Sequence, residues 1–220
     1  LPGVKYEGIM GYEGHCVFIE SLEERRDASG RAYKMLLSYK EALSLAGFEP
    51  KIVSSAGTGT YLIAGVQEGI TDIQAGSYIF MDSRYADVEG VDFEQSLSVL
   101  TSVVSHPEKD VYICDAGTKS MSEEFGIVLT LPSSNLKVKS MSEEYITLVS
   151  DPRSRDTEKP YLSRLDKLYG SDTSDLDVGS KIHLIPSHCC TTVNLHDLMY
   201  ATRNRVVNNV WRIAGRGRFA

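Results

Sequence analysis

The hydrophobic rhythm of this chain changes near residue 96, and no other feature constrains its fold so strongly. Before that point, strand-like runs alternate with helical ones. "VKYEGIMGY" is short, aromatic and β-branched, and residues 22–46 then set Tyr33, Leu36, Tyr39, Leu43 and Ala46 at spacings of three and four, one face of a helix. "KIVSS" predicts a second strand, "TGTYLIAGVQE" a short helix stopped by Gly69, and "ITDIQAG" a third strand. Strand and helix in this order predict βα units on a parallel sheet. After residue 96 the strands follow one another without helices: "LSVLTSVVS", "DVYICDAG", "GIVLTL", "LKVKSM", "YITLVS", "SKIHLI", and the pair "LHDLMYAT" and "RVVNNVWRI". That succession predicts an antiparallel β domain. The expected fold class is therefore α/β barrel units over residues 1–95, followed by a β domain over 96–220. The polar stretch 151–180 reads as a surface insertion.

Composition narrows the function classes. With 220 residues and 42% hydrophobic content the chain can bury a real core, and its formal charge of −7 excludes nucleic acid as the main ligand. No run approaches the roughly 18 to 20 apolar residues of a membrane helix, and no signal-peptide plan opens the chain. The four cysteines, Cys16, Cys114, Cys189 and Cys190, lack the spacing of a disulfide framework, so reduced thiols and a cytoplasmic location are expected. Three parallel strands leave a sheet edge and much apolar surface uncovered, and the chain starts at Leu1 on the threshold of a strand. A missing N-terminal segment or a second chain is the expected complement.

Two glycine-rich turns follow consecutive strands, "SSAGTGTY" at 54–61 and "QAGSY" at 74–78. In a β/α barrel, loops of this kind cradle phosphate, because glycines let backbone N–H groups approach an anion. Thr58, Thr60 and Ser77 could add hydroxyls. Ordinary βα turns would use the same residues for positive φ and for capping, and neither turn matches a nucleotide-binding fingerprint.

The segment "PSHCCTTVNLHD" holds the other candidate chemistry. On an extended strand, residues two apart share a side, so His188 and Cys190 would converge on one ion while Cys189 faces away. Imidazole with thiolate suits zinc, and two ligands leave positions open for water or substrate. Alternatively the cysteines are small buried hydrophobes and His188 bonds locally. His196 is a possible further ligand, His183 a strand residue on a polar face, and His106 a loop residue. Tyr12, Glu13 and His15 are expected at the C-terminal end of a strand, and Asp115 and Lys119 in a solvated charge cluster.

Together, "IMGYEGH", "SSAGTGTY", "QAGSYIFMD", "DAGTKSMSEE" and "PSHCCTTVNLHD" resemble, in order and over nearly the whole chain, the D-threonine aldolase and D-serine dehydratase family. The resemblance implies an alanine-racemase-like fold, pyridoxal 5'-phosphate, and a divalent metal, zinc or manganese. It implies a cofactor site of Tyr12, Gly57, Thr58, Gly59, Gly76 and Ser77, and metal ligation by His188 and Cys190. It also implies a small β-hydroxy-D-amino acid as substrate and a homodimer. Aldolases of the family tend to carry aspartate where Cys190 stands, so dehydration is the expected reaction and retro-aldol cleavage the alternative. The family's Schiff-base lysine has no counterpart here, since neither Lys51 nor Lys119 fits its motif. This chain alone is thus expected to be incomplete as a lyase, or else a noncatalytic fragment.

Overall fold

The structure is a computed structural model that describes residues 2–126, 128–151, 160–170 and 176–218. Contacts divide the chain into two units, Leu1–Ile79 with Tyr85–Asp92, and Phe80–Arg84 with Phe93–Ala220. The five residues Phe80–Arg84 thus pack with the second unit although the chain around them belongs to the first.

In the first unit, β1 (Gly8–Met10), β2 (Ile52–Ser55) and β3 (Asp72–Ile73) form a parallel sheet in that order. Helix α1 (Leu22–Leu45) connects β1 to β2; the Ser21 side chain caps it by accepting from Glu24 N–H. Only the N-terminal half of its expected face is covered: Tyr33 and Leu36 are buried, whereas Tyr39 and Ala46 are exposed. Helix α2 is shorter than its sequence suggests. It spans Tyr61–Ala64 and stops at Gly65 rather than Gly69. Tyr33, Ala56 and Ala64 form the local core.

The second unit is a six-stranded antiparallel sheet built from β4 (Val99–Glu108), β5 (Val111–Cys114), β6 (Leu129–Thr130), β7 (Leu136–Met141), β8 (Ile146–Ser150) and β9 (Lys181–Ile185). Its order is β6-β9-β4-β5-β8-β7, and Thr130 Oγ1 donates to Leu136 O at 2.5 Å, linking the two outer strands so that the sheet nearly closes on itself. Alternating side chains fill its inside: Val103, Tyr112, Cys114, Leu136, Ile146, Leu148, Ile182 and Leu184 make one core. Leu131 and Ile185 make a second with Leu162 and Leu165, the latter from α3 (Ser163–Tyr169).

Within the expected surface insertion, residues 160–170 therefore contribute to a core, because their leucines match an apolar face of the sheet; residues 152–159 and 171–175 lie outside the described residues. His106 is another correction. It lies within β4 and stacks on Tyr112 at 4.5 Å, since the strand runs on to Glu108 before Asp110, at φ 66°, turns the chain. A helix α4 (Cys189–Asn194) and a separate hairpin, β10 (Leu198–Arg203) with β11 (Val206–Arg212), follow β9.

Candidate metal site and glycine-turn site

Residues 188–190 are not a strand. His188 is extended, at φ −143° and ψ 124°, and is the N-cap of α4, which Cys189 begins. The helix starts here because a buried acceptor receives its first amide: Asp82 Oδ2, on a side chain with no exposed surface, takes the Cys189 N–H at 3.0 Å. The same oxygen lies 3.1 Å from His188 Nδ1. Phe125 meets the imidazole edge-on with ring centroids 4.9 Å apart.

This geometry gathers His188 and Cys190 as the sequence spacing led one to expect, but by another route. The chain bends from extended into helical backbone at His188, and the ligand atoms of His188, Cys189 and Cys190 all lie within 4.8 Å of one another. Cys189 therefore does not face away; its thiol is buried within the cluster while Cys190 is exposed. Burial opposes charge on the His188 ring, but hydrogen bonds to Asp82 and Cys190, and the charges of both, outweigh it and raise its pKa to about 9 from the usual 6.5. The donor set, one imidazole with thiols and a carboxylate behind the ring, fits a soft divalent ion. His196 does not join this set in its observed pose: its Nε2 lies 2.7 Å from Ser120 O, where it fastens α4 to the loop after β5.

The first unit gathers the glycine-turn residues. The Tyr12 ring, half exposed, lies over Gly57, where an added Cβ would come within 2.7 Å of the tyrosine Oη. At Gly59 a Cβ would meet the Val17 carbonyl oxygen at 1.9 Å, so only glycine lets these backbones approach. Tyr78 N–H donates to Thr58 Oγ1 at 3.1 Å, which joins the second turn to the first and brings Ser77 beside it in sequence. Residues 55–60 are buried, whereas Gly76 is exposed and a Cβ there would meet nothing within 4 Å. Gly57 N–H is already used, by Thr60 Oγ1 at 3.1 Å. Thr60 is also not a spare hydroxyl, because it donates to Glu13 Oε1.

Glu13 is the hub of this region, and its role was not legible in the sequence. Its carboxylate is 2% exposed and accepts from Tyr33 Oη at 3.0 Å, Ser55 Oγ at 2.9 Å, Ala56 N–H at 3.2 Å and the Thr60 hydroxyl. Ala56 sits at φ 66°, a left-handed conformation rare for residues with a side chain, and the carboxylate holds its amide there. Burial raises the Tyr33 phenol pKa above its normal value. The signal for Glu13 and Asp82 alike was an acid inside an otherwise apolar or small-residue string, "GYEGH" and "YIFMD". Of the remaining candidates, His183 is half-buried between Ser98 and the Tyr169 ring, His15 is exposed, and Lys119 pairs on the surface with Glu143 and Glu144. Asp115 has a lowered pKa because it accepts from Ser102 N–H and the Thr101 hydroxyl.

Parallel βα strands succeeded by a nearly closed antiparallel β unit define the alanine-racemase-like class. The comparisons agree. A family model described as "Putative serine dehydratase domain" matches residues 96–202. A D-threonine aldolase of Arthrobacter sp is 32% identical over 99% of this chain and 53% of its own length, and a 3-hydroxy-D-aspartate aldolase of Paracoccus denitrificans (strain Pd 1222) is 30% identical over 99% and 53%. The crystal structure of D-threonine aldolase from Filomicrobium marinum superposes with a TM-score of 0.84 at 26% identity, covering 99% of this chain and 56% of that one. The chain fits the C-terminal part of the D-threonine aldolase and D-serine dehydratase family and spans about half the length of the curated relatives it matches. Among the described residues no helix is long and apolar enough to cross a membrane.

Proposed function

We propose that the protein acts as a metal-assisted, pyridoxal phosphate-dependent lyase on β-hydroxy-D-amino acids. The observation that carries this reading is the convergence of His188 and Cys190 on one small volume, with a buried carboxylate behind the imidazole. These two side chains would hold the metal and leave positions open, and the chemistry it would supply there is Lewis acidity toward a β-oxygen. Thiolate ligation favours zinc over manganese, which prefers oxygen donors. Pyridoxal phosphate, when bound, supplies an electron sink for charge developing at Cα. Tyr12 offers an aromatic face over the first turn, and the exposed, open position at Gly76 with its neighbour Ser77 gives a phosphate the most accessible backbone; Gly57, Thr58 and Gly59 shape the turn beneath. The two lysines weighed for the Schiff base both lie at the surface, Lys119 paired with two glutamates and Lys51 at the entry to β2.

Loss of water is the first reading, supported by a thiol rather than a carboxylate at position 190. Cleavage of Cα–Cβ is the second, supported by identities of 32% and 30% to relatives named as aldolases. Protein expressed from the complete reading frame, loaded with pyridoxal phosphate and zinc, separates them. Pyruvate with ammonia from D-serine supports dehydration, and glycine with acetaldehyde from D-threonine supports cleavage. Neither product from either substrate would favour a noncatalytic binding role and overturn the lyase reading.

A further inference from the structure

We propose that Asp82 is the positioning residue of the metal site, fixing which nitrogen of His188 binds the ion and where Cys190 is presented. The inference rests on the metal reading above. The Asp82 side chain has no exposed surface, and an uncompensated carboxylate so placed would be strongly unfavourable. Its Oδ2 meets two donors from one short stretch of chain, His188 Nδ1 at 3.1 Å and Cys189 N–H at 3.0 Å. The first contact places the proton on Nδ1 and leaves Nε2 as the ligand atom. The second pins the first amide of α4, and with it the direction in which the adjoining Cys190 side chain leaves the backbone.

One oxygen therefore sets both ligands, although it lies 106 residues from His188 in sequence. The segment that carries it is held in turn by bonds of its own unit. Ser83 N–H donates to Pro186 O at 3.1 Å, two residues before the imidazole, and the Gln95 side chain donates to Met81 O at 3.1 Å. Met81 takes a left-handed φ of 58° with no exposed surface, so the backbone that presents Asp82 is constrained on both sides. Asp82 touches neither substrate nor ion in this account; it acts through the imidazole and the helix start.

The test is zinc affinity of the intact protein by chelator competition, together with ¹⁵N NMR of the His188 ring, in wild type, Asp82→Ala and Asp82→Asn. Asp82→Ala is expected to weaken zinc about 10- to 100-fold and to give a mixture of Nδ1- and Nε2-bound metal. Asp82→Asn, whose amide oxygen can still accept both bonds, should fall between the two and keep Nε2 ligation. Should Asp82→Ala fail to fold, the asparagine variant decides: weaker zinc at unchanged metal-free stability supports the assignment. Variants that bind zinc as tightly as wild type, through the same nitrogen, overturn it. Absence of zinc from wild type would instead refute the metal reading itself, so the two failures are distinguishable.

Discussion

Removing the Glu13 carboxylate should destabilise the first unit far more than neutralising it. In Glu13→Ala four donors lose their acceptor at once. Ser55 Oγ can turn fully to Gly11 O, already at 2.6 Å, and Thr60 Oγ1 has Gly57 O at 3.5 Å. The Ala56 amide cannot turn, because its direction is fixed by a left-handed backbone, and the Tyr33 phenol is held in the core. Two buried groups stranded at about 1–3 kcal/mol each, with the void left by the side chain, give a loss of about 4 kcal/mol. In Glu13→Gln the amide oxygen can serve Ser55 and Ala56 while its NH2 faces Tyr33 and Thr60, whose hydroxyls rotate to accept, so the loss should be about 1 kcal/mol. Urea unfolding followed by circular dichroism reads both values, and hydrogen exchange at Ala56 N–H reads the site directly. A loss below about 1 kcal/mol in Glu13→Ala, with Ala56 still protected, would refute the hub.

Three further outcomes follow from the same geometry. Gly59→Ala drives a Cβ into the Val17 carbonyl and should lose about 2–3 kcal/mol, whereas Gly57→Ala meets the movable tip of Tyr12 and should lose less than about 1 kcal/mol; thermal melts of the pair check the order. Burial and the Arg205 charge lower the His183 pKa from 6.5, so the folded protein binds fewer protons than the unfolded chain just below that pH. Stability should therefore fall as pH drops through 6.5 and its dependence should flatten in His183→Gln, as denaturation at several pH values will show. Native thiol labelling should modify Cys190 first, since Cys16, Cys114 and Cys189 are buried and burial pushes the Cys114 thiol up to about 12. Zinc should slow that fast phase, and Cys190→Ala should abolish it.

What could be read from the sequence followed what is local. The strands of the second unit were legible because their apolar residues alternate at period two, and so was the switch near residue 96, because no helical spacing interrupts them. Tyr33 and Leu36 were found by their helical period, but exposure of Tyr39 depends on what covers the helix, and no pattern within α1 encodes that. The residues His188 and Cys190 were identified on a strand geometry the chain does not adopt. A strand spacing and an N-cap followed by a first helical turn both bring positions two apart together, but only the helical start brings Cys189 in with them. For a different reason, the anchoring role of Asp82 was not visible in the sequence, and Glu13 was legible there only as a residue at the C-terminal end of a strand. Their partners lie 106 and 20 to 47 residues away, and a buried carboxylate has no periodic signature.

The central claim is that His188 and Cys190 jointly bind one divalent ion. Metal content of protein purified after saturation with zinc and desalting tests it directly, in wild type, His188→Ala and Cys190→Ala. About one zinc per chain in the wild type, lost in both variants, is the predicted result. Full zinc retention in both variants would contradict it.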